Sequence, residues 1–202
     1  MKKLDLKKLH RDLFNPPIGS FVEVVVPEFS YIMVDGKGDP NTTAAYKTAV
    51  EWLYGVSYAM KFAAKNSLSR DYVVPPLEGL WWSDDPETFV RREKDRWSWT
   101  MMIMAPDFVT ATMFDDGVAK TQIKRSDQPK SLRFENYEEG LSLQTMHVGS
   151  YDDEGPTLMR LHDEIMPEMG VSFSGAHHEI YLSDPRKTVP GKLRTILRQP
   201  IK

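Results

Sequence analysis

Two stretches of the chain resemble each other, and each carries a Ser-Asp turn signal. Residues 177–185 read His-His-Glu-Ile-Tyr-Leu-Ser-Asp-Pro, and residues 80–86 read Leu-Trp-Trp-Ser-Asp-Asp-Pro. Each is strand-like and is followed by a second strand-like run that leads into a proline. Each is also preceded by a candidate helix and, before that, by a β-rich segment. We interpret this as an internal duplication of a strand-helix-strand-strand unit, although two β segments can share a Ser-Asp-Pro turn by chance.

Hydrophobic periodicity predicts the individual elements. The predicted strands are residues 21–27, 29–35, 77–82, 97–104, 141–148, 177–182 and 193–198. The predicted helices are residues 41–66, 111–124 and 154–169. Asp39 or Asn41 can cap the first helix, with Pro40 in its first turn; Thr110 can cap the second, and Gly170 is a stop signal for the third. The repeated β-α-β-β order, with helices on one side of the strands, predicts an α+β fold.

Composition shifts predict the domain organisation. Residues 1–17 form a basic, helix-like leader closed by Pro16 and Pro17. Residues 18–202 are predicted to form a single domain of two halves, about 18–106 and 126–202, bridged by a helix at about 110–125. The polar residues 126–130 are the expected boundary between the halves.

Composition also limits the classes of function. The chain has 202 residues, 41% of them apolar and 27% charged, which is typical of a globular protein. The net charge of −3 and the pI near 6.0 argue against nucleic-acid binding. The absence of cysteine excludes disulfides and thiolate metal sites. The basic leader lacks the apolar run of a secretory signal, and no window approaches the roughly 20 apolar residues of a membrane span. We therefore expect a cytoplasmic protein with no membrane or nucleic-acid partner.

Cofactor and metal signals are missing from the sequence. There is no glycine-rich nucleotide loop after a strand, no phosphate-binding P-loop and no Gly-x-Ser-x-Gly nucleophile motif. Adjacent strand residues point to opposite faces, so His177 and His178 cannot both reach one ion without distortion. His10, His147 and His162 show no ligand spacing. The sequence therefore predicts neither a metal site nor a cofactor.

Glu179 is the candidate for chemistry. Strand alternation places it on one face with His177 and Tyr181. One reading is an ordinary strand carboxylate, exposed to solvent or paired with Arg186 or Arg194. The other is a carboxylate partly desolvated among aromatic side chains, with a raised pKa, which attracts cations or acts as a base.

Aromatic residues are concentrated on one face of a predicted strand. Trp97, Trp99, Met101 and Ile103 alternate onto the same face, and Trp81 lies in the strand before them. Two tryptophans on one face suggest a wide concave surface for a ligand, with an ordinary packed core as the alternative. Methionines beside the tryptophans suit an adaptable apolar wall.

Several motifs resemble the GyrI-like small-molecule-binding family. They are residues 177–186, 193–200, 147–151 with Glu154, 76–82 and 97–100. The resemblance covers about residues 18–200, and the ten-residue run from His177 is the most specific part. The chain is most similar to the stand-alone branch, which lacks the helix-turn-helix DNA-binding domain of the related multidrug-sensing regulators.

The resemblance implies a fold, a site and an activity. It implies a pseudo-twofold pair of β-α-β-β units with a ligand groove, and an acidic residue at the bottom of that groove, which Glu179 matches. Some stand-alone members hydrolyse the cyclopropane of DNA-alkylating natural products of the yatakemycin and duocarmycin type. By that resemblance Glu179 orients or deprotonates a water, and Tyr181 donates a hydrogen bond near the reacting group. The expected ligand-binding residues are Trp81, Trp97, Trp99, Met101, Tyr137, His147 and His177.

Three functions remain open at this point. The first is an enzyme that detoxifies cyclopropane-bearing genotoxins by hydrolysis. The second is a binding protein that sequesters hydrophobic or cationic aromatic drugs without chemistry. The third is a modulator of DNA gyrase, as the family name suggests. A small aromatic ligand is expected in the first two cases, and the sequence is compatible with either a monomer or a homodimer.

Overall fold

The computed structural model describes residues 3–85 and 87–202, so Met1 and Lys2 of the predicted leader and Pro86 of the first turn signal lie outside the described residues. The strands are β1 Val22–Val26, β2 Phe29–Lys37, β3 Leu77–Trp82, β4 Ser98–Ala105, β5 Arg133–Tyr137, β6 Gly140–Val148, β7 His177–Tyr181 and β8 Arg194–Pro200. The α-helices are α1 Leu6–Leu9, α2 Arg11–Phe14, α3 Ala44–Ser67, α4 Glu87–Val90, α5 Ala111–Gln122, α6 Gly155–Arg160 and α7 Met166–Met169.

The chain forms two compact units. The first unit contains the residues up to Leu9 together with Phe29–Tyr137, and the second contains His10–Glu28 together with Glu138–Lys202. Residues 18–28, which the sequence assigned to the first half, therefore belong to the second unit. They do so because β1 pairs antiparallel with β6, with Val24 opposite Ser142.

The same strand order occurs in both units. In the first unit β3 pairs with β4, β4 with β2, and β2 with β5, all antiparallel. In the second unit β7 pairs with β8, β8 with β6, and β6 with β1, again antiparallel. The two orders, β3-β4-β2-β5 and β7-β8-β6-β1, correspond strand by strand. This correspondence and the mixture of helices and strands confirm the predicted α+β fold built from a duplicated unit.

Helix α3 covers the sheet of the first unit. Its buried residues include Trp52, Leu53, Val56 and Met60, each with 0% exposed surface, and the helix contacts β2, β4 and α5. Helical spacing predicted Leu53, Val56 and Met60 on this apolar stripe but did not include Trp52. Burying a side chain of this size stabilises the fold by roughly 1.5–3 kcal/mol, so α3 contributes much of the hydrophobic stabilisation of this unit.

The predicted helix boundaries are only partly correct. Thr110 caps α5 as expected, because its side chain accepts a hydrogen bond from the Met113 amide at 3.3 Å. The predicted cap of α3 at Asp39 or Asn41 is wrong, since the N-cap residue is Thr43. The Asp39 carbonyl accepts hydrogen bonds from the amides of Thr42 and Thr43 at 3.2 and 2.9 Å, so a turn precedes the helix and excludes Pro40 from it.

The third predicted helix is interrupted. Between α6 and α7 lies a π-helical turn, Leu161–Ile165, in which the Met166 amide donates to the Leu161 carbonyl five residues earlier. Pro167 lacks an amide hydrogen and cannot continue the regular ladder, which gives a local reason for the interruption. Gly170 ends α7 in the left-handed conformation, with φ of 68°, as the sequence predicted.

Part of the predicted leader packs into the second unit. Leu13 and Phe14 are buried, with 2% and 6% exposed surface. The Arg198 guanidinium donates to the backbone carbonyl of Leu13 at 2.8 Å. The side-chain amide of Gln144 donates to the backbone carbonyl of Asp12 at 2.7 Å. Among residues 3–85 and 87–202, no helix is long and apolar enough to span a membrane.

Candidate functional site

Strand β7 carries the candidate acid. Its burial alternates as predicted: His178 and Ile180 are buried with 0% exposed surface, whereas His177, Glu179 and Tyr181 are half-buried on the other face. The side chain of Glu179 is 16% exposed. It is therefore neither a fully solvated strand carboxylate nor a sealed core group.

Tyr181 binds Glu179 directly. Its hydroxyl donates a hydrogen bond to Glu179 Oε2 at 2.7 Å, a distance typical of a bond from a hydroxyl to a carboxylate. The two residues are two apart on one strand and so project from the same face. Arg186, which the sequence offered as one alternative partner of Glu179, donates from its guanidinium to Asp184 at 2.9 Å.

His177 lies on the other side of the carboxylate. Its Nε2 atom is 3.7 Å from Glu179 Oε1, and its side chain is 12% exposed. Burial lowers the pKa of His177 to about 3, and repulsion from His162 and His178 acts in the same direction. The imidazole is therefore neutral at pH 7.

The opposite face of β7 is anchored by a buried charged network. The Nδ1 atom of His178 lies 2.9 Å from Glu139 Oε1, and Arg198 donates to Glu139 Oε2 at 3.0 Å. Burial alone would raise the pKa of Glu139, but the charges of His178 and Arg198 outweigh it and lower that pKa to about 2. Arg198 also donates to the Gln144 side chain at 3.0 Å. This network holds the backbone that presents Glu179.

Tyr151 lies against Tyr181. The two rings meet edge to face, with centroids 5.5 Å apart, and Tyr151 is 39% exposed. Tyr151 lies two residues after Gly149, whose φ is 156°. A side chain at Gly149 would lie 2.9 Å from the His147 ring, so the turn depends on glycine. We assigned no role to Tyr151 from the sequence, although it lies within one of the motifs quoted above.

The tryptophans form an aromatic cluster in the first unit. Trp99 and Met101 have 0% exposed surface and Trp81 has 6%, whereas Trp97 is half-buried. Tyr46 of α3 packs on Trp81 and Trp99, with ring centroids 6.3 and 5.3 Å away. Trp97 stacks on Phe89 at 4.9 Å. Trp99 and Met101 thus belong to the packed interior of this unit, and Trp97 presents aromatic surface.

The remaining candidates have structural partners. The ring of His147 lies 3.1 Å from the Ser150 carbonyl and so holds the turn before Tyr151. Tyr137 is half-buried on β5 and meets Tyr31 edge to face at 6.3 Å. Ligand contacts by these residues and by the tryptophans stay predictions. Within the described part of the chain, no three His, Asp or Glu side chains form a group that could hold a metal ion.

A family model identifies the chain. The model of the GyrI-like small molecule binding domain matches residues 21–202. The chain belongs to the GyrI-like family. No curated protein matches this GyrI-like chain.

Solved structures from Listeria innocua resemble this GyrI-like protein along its whole length. An uncharacterized conserved protein is 37% identical, with a TM-score of 0.90 over 99% of this chain and 100% of the other. A protein described as a hydrolase encoded by lin2189 is 36% identical, with a TM-score of 0.87 over 100% of both chains. The EcmrR C-terminal domain, at 10% identity and a TM-score of 0.57 over 91% of this chain and 97% of that domain, shares the fold alone.

Proposed function

We propose that this GyrI-like protein binds flat hydrophobic or aromatic compounds and hydrolyses cyclopropane-bearing genotoxins, with Glu179 as the water-activating base. The observation that carries the proposal is the half-buried Glu179 carboxylate, held by the Tyr181 hydroxyl at 2.7 Å on a strand anchored from behind. Two Listeria innocua proteins described as hydrolases, 36% and 38% identical over their full length, support a catalytic role.

Ring strain in the substrate lowers the barrier to hydrolysis, so a single positioned base is enough in this mechanism. Glu179 takes a proton from water while the water oxygen bonds to a cyclopropane carbon. The strained carbon–carbon bond breaks, and its electron pair moves into the conjugated carbonyl of the substrate. That oxygen is then protonated, which restores Glu179, and Tyr181 donates a hydrogen bond near the reacting group. A positioned base typically accelerates such a step by about 10²–10⁴-fold.

Aromatic surface supplies the affinity in this proposal. Tyr151 and Tyr181 offer ring faces and edges beside Glu179 in the second unit. In the first unit Trp97 is half-buried and meets Trp81 edge to face, with ring centroids 6.1 Å apart, so we propose separately that it offers a stacking surface within that unit. An aromatic face adds about 0.5–2 kcal/mol of attraction for a cationic ligand. Tyr137 and His147 are weaker candidates because each is engaged within its own unit.

The decisive experiment compares wild type with Glu179→Gln. The substrate is a cyclopropane-bearing alkylating compound of the duocarmycin type, and the ring-opened product is measured by chromatography and mass spectrometry. We expect the substitution to lower the rate by about 10²–10⁴-fold while ligand affinity persists, since the amide keeps the shape of the side chain. Equal rates in both proteins would remove the catalytic role of Glu179.

A matched control separates the site from general charge effects. Glu23 is an exposed strand glutamate in β1 of the same unit, so Glu23→Gln makes the same chemical change away from the candidate acid. This variant is expected to retain the wild-type rate. A loss of activity in it would show that the assay responds to the charge of the unit rather than to Glu179.

Sequestration without turnover is the second candidate, because the family domain is described by small-molecule binding alone. It predicts that rhodamine-like or quinolinium-like dyes bind, measured by dye anisotropy, with no chemical change in any cyclopropane-bearing compound. Glu179→Ala is then expected to weaken the affinity for cationic dyes. Unchanged affinity in this variant would contradict an electrostatic role for the carboxylate.

A further inference from the structure

The two oxygens of Glu179 face different side chains. Oε2 accepts the hydrogen bond of Tyr181 at 2.7 Å, and Oε1 lies 3.7 Å from Nε2 of His177. All three residues project from one face of β7, because they are spaced two apart along a strand. His177 is thus placed by the strand itself on the side of the carboxylate that Tyr181 does not occupy.

Both ring nitrogens of His177 are sealed from solvent, and neither has a hydrogen-bond partner in the described part of the chain. Leaving a buried polar atom unsatisfied typically costs about 1–3 kcal/mol. Buried polar atoms of this kind are rare enough in folded proteins to require an explanation. An apolar ring would fill the same space without burying two unsatisfied nitrogen atoms. The presence of an imidazole at position 177 therefore indicates that its nitrogens have a role in the site.

The surroundings keep His177 neutral. From its own strand His178 opposes its protonation, and so does His162 from the π-helical turn; Glu139 favours it. Phe173 covers His162 edge to face, with ring centroids 5.0 Å apart. A neutral imidazole carries one N–H and one lone pair. Beside a carboxylate the tautomer with hydrogen on Nε2 is favoured, because the other would set a lone pair against Oε1.

We propose that His177, as its Nε2–H tautomer, is a positioning residue for Glu179: across 3.7 Å, which is too far for a hydrogen bond, its N–H dipole faces Oε1 while the Tyr181 hydroxyl binds Oε2. The inference rests on the working role of Glu179 in the proposed function. It goes beyond that function because His177 is no longer proposed to contact the ligand. Its role is instead to orient the Glu179 carboxylate.

Nitrogen NMR of histidine-labelled protein tests the tautomer without any ligand or turnover. In wild type we expect the Nε2 signal of His177 at a protonated-type shift and the Nδ1 signal at an unprotonated-type shift. In Glu179→Gln this preference is expected to weaken, because the charged acceptor is gone. A proton on Nδ1 in wild type would overturn the proposal.

Carboxyl-carbon NMR then tests the effect on Glu179. His177→Phe removes the donor but keeps a ring, and it is expected to move the titration midpoint of Glu179 upward by about half a unit to one unit. His177→Gln restores an N–H near the position of Nε2 and is expected to return the midpoint toward wild type. His162→Phe removes the neighbouring imidazole as a control and is expected to leave it unchanged. An unmoved midpoint in His177→Phe would contradict the proposal.

Kinetics separate the two proposals. If the protein turns over a substrate, His177→Phe is expected to lower kcat by about 10-fold with little change in KM, and His177→Gln to recover most of it. If no substrate is turned over, the proposed function fails, and the two NMR experiments still decide the role of His177. A rise in KM with kcat unchanged would show that His177 contacts the ligand instead.

Discussion

The hydroxyl of Tyr181 is the smallest group whose removal should be visible in function. It donates to Glu179 Oε2 at 2.7 Å. A hydrogen bond to a charged acceptor is worth about 1.5–3 kcal/mol, and it also fixes the direction in which the carboxylate points. The phenol ring meanwhile keeps its edge contact with Tyr151 whether or not the oxygen is present.

Tyr181→Phe is therefore expected to lower the hydrolysis rate by about 10–100-fold, in line with the loss of one such hydrogen bond, and to leave the binding of apolar dyes unchanged. Rates and dye anisotropy measure the two effects. Tyr58→Phe is the control, because Tyr58 is an exposed tyrosine of α3, and it should behave as wild type in both assays. A full rate in Tyr181→Phe would show that the hydroxyl plays no part in the chemistry.

Alternation along a strand gave the correct faces for single residues of β7, because that period depends only on local backbone geometry. It could not give the partner of His178, since Glu139 comes from another segment of the chain, as does Arg198, which donates to the same carboxylate. No local pattern marks Glu139 as different from its neighbour Glu138. Contacts between distant segments depend on the sheet register, which becomes visible only when strands are paired.

At the scale of elements, β2 and β4 show the limit of strand alternation. Alternation predicts which residues share a face of a strand, but it does not predict what packs against that face. Trp99 and Met101 do lie on one face, but Trp99 is sealed there by Tyr46 of α3 and by Gly36 of β2. The same alternation fits a concave surface and a core equally well. Likewise, β5 was not predicted, because an edge strand with Arg133 and Glu135 carries little apolar signal.

Gly36→Ala should destabilise the first unit. The added methyl group would lie 2.1–2.6 Å from atoms of the Trp99 ring, which is fully buried. Overpacking of this kind costs about 1–3 kcal/mol, and urea denaturation followed by circular dichroism measures it. Gly155→Ala is the control, since a methyl group there meets nothing within 4 Å, and it is expected to be nearly neutral. Equal urea midpoints of unfolding for Gly36→Ala and Gly155→Ala would contradict the close packing at Gly36.

At the scale of the whole molecule, the buried ionisable groups of the second unit predict sensitivity to acid. The pKa of His177 is about 3 in the folded state, below its usual 6.5, because burial disfavours the charged ring. The unfolded chain therefore takes up this proton first, and stability falls as the pH drops from about 6.5 towards about 3. The pKa of Glu139 is about 2 instead of 4.5, so its contribution is present above 4.5 and is lost as the pH falls towards 2.

We expect the second unit to lose a few kcal/mol of stability, as an order of magnitude, between neutral pH and pH 3. Amide hydrogen exchange of β6 and β8 at several pH values measures this loss strand by strand. His177→Phe should flatten the decline above pH 3 and leave the part that belongs to Glu139. Protection that is constant from pH 7 to 3 in wild type would contradict the burial of both groups.

The arrangement of aromatic residues gives the two units different optical properties. All five tryptophans, at positions 52, 81, 82, 97 and 99, lie in the first unit. Indole emission excited at the red edge of its absorption band therefore reports on that unit alone, while the second unit contributes only the phenols of Tyr151 and Tyr181. A melt recorded by indole emission and again by amide signals of the second unit would show directly whether the duplicated halves unfold together or one at a time.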